Sequence, residues 1–113
     1  MPPIYHLARG HEWARAAERG VYAGTEEDRA DGYLHFSTAD QIEKSAAKHR
    51  AGEADLVLVA CEAEPLGDAL KWEPACGGDL FPHLYGELAM EAVTWAKPLP
   101  LGADGRHRFP PLE

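Results

Sequence analysis

Six consecutive apolar residues, Leu56-Val57-Leu58-Val59-Ala60-Cys61, constrain this chain more than any other feature. A strand sends alternate side chains to opposite faces, so a strand with no polar position must be covered on both sides. The run is bounded by Asp55 and Glu62 and is too short for a buried helix. The chain therefore needs a sheet with a layer on each face. With 113 residues it has material for one such core and not for two.

The other elements follow from local pattern. Ile4 to Leu7 reads as a first strand. Gly10 to Gly20 reads as a helix, with Trp13, Ala16 and Ala17 as its apolar stripe and Gly20 as its stop. Val21 to Gly24 is short and extended. Asp31-Gly32 signals a turn, and Tyr33 to Ser37 follows as an aromatic-rich strand. Thr38 stands three residues before Gln41, a capping-box spacing that predicts a helix to about Arg50. That helix puts Ile42, Ser45, Ala46 and His49 on one side. Leu70 to Glu73 is a short strand stopped by Pro74, Ala75 to Pro82 a loop, and Met90 to Lys97 a final strand. Two segregated helices and mostly adjacent strands predict an α+β fold, a single domain over 1–97, with a Pro/Gly-rich tail over 98–113 packed on it.

Charge and motifs exclude several classes. A formal net charge of -8 argues against a domain held to nucleic acid by phosphate contacts, and against binding an anionic membrane. No run approaches the ~20 apolar residues that span a bilayer. Met1-Pro2-Pro3 lacks the basic-then-apolar pattern of a secretory leader, so the expected compartment is the cytoplasm. There, Cys61 and Cys76 are expected as thiols, Cys61 buried and inert, Cys76 accessible in a Gly-rich loop. The glycine-rich nucleotide motifs, the zinc-protease helix motif and the serine nucleophile elbow are all missing.

What remains is a set of polar and aromatic groups at strand ends. His6, His35 and His83 each sit between apolar neighbours, so each takes the opposite face from them. If that face lines a cleft, three imidazoles converge there, able to donate, accept or titrate near neutral pH. The alternative for each is a buried ring satisfied by a carbonyl. A three-histidine metal site has no close-spaced pair to support it, and no metal is expected. Ser37 shares a face with His35, as nucleophile beside base or as a second ligand donor; the alternative is a cap on the helix that follows. Glu73 follows Trp72 at a strand end, as a base or a ribose contact, or else a solvated edge residue. Phe81-Pro82 fixes the backbone so that His83 and Tyr85 can point to one side, Tyr85 stacking on a ring or hydrogen-bonding a ligand. His11, His49 and His107 read as surface residues.

Asp31 to Thr38 (DGYLHFST) and Leu70 to Leu88 (LKWEPACGGDLFPHLYGEL) resemble a small bacterial family of unknown function, numbered nine hundred and fifty-two. IYHLARGHEW and DLVLVACEAEPL fit it too, so the resemblance spans about Ile4 to Lys97. It implies a fold similar to the ADP-ribosyltransferase-like one, an antiparallel split sheet that holds NAD in a cleft. The resemblance gives His6 the first-strand ribose contact and sets His35 and Ser37 against nicotinamide, with Tyr85 as the stacking ring. Glu73, Glu87 and Glu91 compete for the late carboxylate. The expected function is ADP-ribosyl transfer from NAD or an ADP-ribosylated compound, with His35 and Glu73 catalytic and His6, Ser37, Trp72, His83 and Tyr85 binding ligand. The alternatives are a nucleotide- or metabolite-binding domain without turnover, and an interaction protein.

Overall fold

The computed structural model describes residues 2–75 and 77–112; Cys76, expected to be accessible, lies outside them. The chain is α+β. Its elements run β1 (Ile4–Arg9), α1 (Gly10–Arg19), β2 (Val21–Tyr22), α2 (Glu26–Asp31), β3 (Leu34–His35), α3 (Ala39–His49), β4 (Leu56–Cys61), β5 (Leu70–Ala75), β6 (Asp79–Leu84), β7 (Leu88–Ala89) and β8 (Val93–Leu99).

β4 is the centre of an antiparallel sheet ordered β1-β4-β8. Val57, Val59 and Cys61 face one core with Ile4, Ala8, Ala16, Tyr22 and Phe36. Leu56, Leu58 and Ala60 face the other, with Tyr5, Ile42 and Leu99. The apolar run is thus covered on both sides. Burial pushes the Cys61 thiol up to about 12, so it stays protonated and inert.

A second antiparallel sheet is ordered β3-β6-β5. The two meet at one bridge, where Tyr5 and Ser37 exchange both backbone hydrogen bonds at 2.8 Å. The candidate site is lined by residues of both sheets on either side of this bridge.

Several expectations are corrected. There are three helices, not two: α2 occupies what reads as loop before the Asp31-Gly32 turn. Pro74 does not stop β5, which continues to Ala75 on the sheet edge, where a missing N–H costs no ladder bond. The expected loop from Ala75 contains most of β6, which turns back after Gly77-Gly78. On α1 the buried stripe is Trp13 and Ala16, and Ala17 is exposed. β8 runs through Pro98 to Leu99, so the final strand takes in the start of the expected tail. Phe109 and Leu112 from the remainder pack on the second core. His107 is not solvated: its Nε2 donates to the Glu53 carbonyl at 2.7 Å. No helix among the described residues is long and apolar enough to cross a membrane.

Candidate functional site

A cleft of about 280 Å³ opens between the two sheets, with α2 on one wall and α3 on the other. β1 brings His6, the segment after β3 brings Phe36 and Ser37, and β6 brings Phe81 and His83. α3 contributes Ile42, Ser45 and His49, spaced three and four apart on one helical face, with Arg50 at its C-cap.

The three histidines of the sequence reading meet here in three different settings. His6 is buried and its ring is fully engaged. Nδ1 donates to the His35 carbonyl at 2.7 Å, so in the neutral ring Nε2 is the acceptor, and it takes the Tyr22 hydroxyl at 2.7 Å. Burial lowers the pKa of His6 and raises that of Tyr22, which keeps the ring neutral and the phenol protonated. With both nitrogens occupied, His6 organises the cleft floor.

His35 is a cation. Its Nδ1 donates to Asp28 Oδ1 at 2.5 Å, and its Nε2 lies 3.0 Å from Asp31 Oδ2 in an ion-pair contact. Two carboxylates can be satisfied together only by the doubly protonated ring. The hydrogen bond to Asp28 is the largest cause holding the His35 pKa above its ordinary value. Burial alone would raise Asp28, but the hydrogen bond from His35, the nearby His6 and the Thr25 amide bring it down to about 2. A general-base role for His35 would first require the protonated ring to give up a proton.

His83 donates from Nδ1 to Glu73 Oε1 at 2.8 Å. The Tyr85 hydroxyl donates to the same Glu73 oxygen at 2.8 Å. Tyr33 stacks on His83 with ring centroids 4.2 Å apart and also touches His35 and Tyr85, at 4.6 and 5.1 Å. An aromatic cluster therefore joins the cationic His35 to the Glu73 carboxylate.

Of the residues picked out in the sequence, His6, His35, Ser37 and His83 line the cleft, while Glu73 and Tyr85 join it through His83. Trp72 does not. It neighbours Glu73 on β5 and so faces the other side of the sheet, where it is 40% exposed. Ser37 does not cap α3: that role falls to Thr38, whose N–H donates to Gln41 Oε1 at 3.0 Å. Glu87 and Glu91 are outside the cleft lining. Sequence reasoning missed Asp28, Asp31, Tyr33 and Arg50. A signal for Asp28 exists: Thr25 and Asp28 have capping-box spacing, and both of their reciprocal hydrogen bonds form.

A search of curated proteins returns no match. Among solved structures, the crystal structure of protein CC0527 from Caulobacter crescentus superposes with a TM-score of 0.90 at 45% identity, covering 94% of this chain and 93% of that one. The solution structure of CC0527 gives 0.84 at 46% identity, covering 94% and 91%. Residues 7–96 match the family described as protein of unknown function (DUF952), and the chain belongs to that family.

Proposed function

We propose that the cleft binds NAD or an ADP-ribosylated compound and serves ADP-ribosyl transfer. One arrangement carries this reading: the His35 cation and the Glu73 carboxylate flank a Tyr33–His83 aromatic stack at the mouth of a cleft with an apolar floor. The stack suits a planar ring. In the transfer, the ribosyl C1′–N bond breaks, its electron pair leaves with nicotinamide, and positive charge grows on the ribosyl ring. The acceptor then bonds to C1′ and gives up its proton. Both Glu73 hydrogen bonds fall on Oε1, so Oε2 can face that charge. His35 can turn its Nε2–H from the exposed Asp31 to an amide or hydroxyl oxygen of the ligand. His6, already saturated, holds the floor against which the ligand packs.

The test is titration with NAD, ADP-ribose and nicotinamide, followed by amide NMR shifts, together with chromatographic assay of nicotinamide release. Shifts at His35, Ser37 and His83 with released nicotinamide are expected. If neither NAD nor ADP-ribose moves these signals, the reading is overturned.

Binding without turnover is favoured by one observation: His35 is held as a cation and cannot take a proton from Ser37. Its signature is the same shifts with no nicotinamide released.

A further inference from the structure

We infer that the α3 side of the cleft, where Ser37, Ser45 and Arg50 meet it, is a subsite for a phosphate or carboxylate group of the ligand. This deepens the reading above, and rests on it for the identity of the rest of the ligand.

Ser37 carries the argument. It is buried to 4% exposure, lines the cleft, and uses its backbone in the bridge to Tyr5. Its hydroxyl makes no hydrogen bond among the described residues, and neither does that of Ser45 on α3. Buried hydroxyls normally find partners, so one turned into a cavity marks the place of an absent acceptor.

Arg50 is the charged group left short. Two arginines share two glutamates on this wall, and Arg9 takes the close positions. It reaches Glu53 Oε1 at 2.7 Å and Glu27 through two bonds at 3.0 and 3.3 Å. Arg50 keeps only a 3.4 Å contact to Glu27 and a bond of 3.1 Å to the His49 carbonyl. Its Nε is buried with no acceptor, the Glu53 carboxylate lying 3.9 Å away.

Three carboxylates also line the cleft, and each is engaged by another cation. Asp28 and Asp31 hold His35, and Glu27 holds Arg9. The incompletely partnered groups that remain, two hydroxyls and a guanidinium, can all donate. An oxyanion supplies several acceptor lone pairs on one centre, which is what two hydroxyls and a guanidinium require.

The experiment compares nicotinamide riboside with nicotinamide mononucleotide, which differ by one phosphate, and adds inorganic pyrophosphate and succinate as isolated anions. Binding is read by calorimetry and by the amide signals of residues 37, 45 and 50. The mononucleotide should bind at least about tenfold more tightly than the riboside. Ser45→Ala and Arg50→Gln should each shrink that ratio and leave riboside affinity unchanged. Ser45→Ala removes no hydrogen bond, so its fold is secure even if Arg50→Gln is not. Pyrophosphate alone moving the three signals identifies a phosphate subsite, and succinate alone a carboxylate subsite. Equal affinity for riboside and mononucleotide, with both anions silent, overturns the subsite while leaving the NAD reading standing. Anion shifts at residues 37, 45 and 50 without any riboside or NAD response support the subsite and overturn that reading instead.

Discussion

Three donors converge on the buried carboxylate of Asp28: the Thr25 amide at 2.8 Å, the His35 amide at 3.1 Å and the His35 ring at 2.5 Å. One side chain thus closes a helix cap and fixes a cation at the rim. The pH dependence follows from opposite shifts in the two partners. His35 is raised from 6.5, so its contribution to stability is complete below pH 6.5 and is lost as pH climbs through the folded-state value. Asp28 is lowered from 3.8 to about 2, so its contribution is present above 3.8 and is lost as pH falls toward 2. Stability from this pair should therefore be greatest between these limits. Urea denaturation across the neutral to alkaline range should show the parent losing stability where Asp28→Asn, already weaker by about 2 kcal/mol, shows a flatter slope. A parent with no slope would refute the cationic assignment. His35→Gln tests function at the same position. It keeps one donor for Asp28, so the fold should survive, while affinity for ADP-ribose should fall by ~1–3 kcal/mol, measured by calorimetry. An unchanged affinity with a lowered melting temperature would make His35 purely structural.

At the scale of elements, a glycine sets the approach of α2. Gly24 has φ +96, and a Cβ there would stand 2.7 Å from the Asp28 side chain. Gly20, at the end of α1, has φ +87 with open space around it. Gly20→Ala should cost about 1 kcal/mol from backbone strain alone. Gly24→Ala should cost roughly 2–3 kcal/mol, because the strain is joined by a clash that pushes on the carboxylate holding His35. Equal losses in chemical denaturation would mean that α2 yields freely. This helix also shows why the sequence was only partly legible. α1, α3 and β4 carry apolar periodicity or an apolar run, and all three are readable to within a few residues. α2 is Glu26-Glu27-Asp28-Arg29-Ala30-Asp31, whose one buried residue is the aspartate, so no hydrophobic pattern announces it. β6 hid behind Pro82. That residue lies beside Phe36, past the end of β3, where its carbonyl still accepts the Phe36 amide at 2.9 Å and a missing N–H breaks no paired ladder. The histidines were visible because alternation told which way they point. Their partners Asp28, Asp31 and Glu73 are contributed by separate elements or a charged helix, and pairing of that kind is decided by tertiary packing.

For the whole molecule, the central sheet joins two cores that a 113-residue chain must stabilise together. Trp13 packs on the core that holds His6 and Phe36, and Trp95 on the core under α3 and the C-terminal segment. Because β4 supplies alternate residues to both, loosening one face should loosen the other. Leu58 is fully buried at the centre of β4, and Leu58→Ala should cost about 3 kcal/mol. Phe109 is half-buried and comes from the segment that follows β8, so Phe109→Ala should cost less, about 1–2 kcal/mol, and should spare the cleft, which it does not line. With Trp72 replaced by Phe throughout, both losses should appear equally in a Trp13→Phe background, where Trp95 reports, and in a Trp95→Phe background, where Trp13 does. Coincident urea transitions in the two backgrounds are the mark of one cooperative unit. If Phe109→Ala shifted only the Trp95 transition, the C-terminal segment and its core would be a separately melting layer. The α3 wall of the cleft, which shares that core through Ile42, would then loosen with it, while the floor around Phe36 rests on the other core.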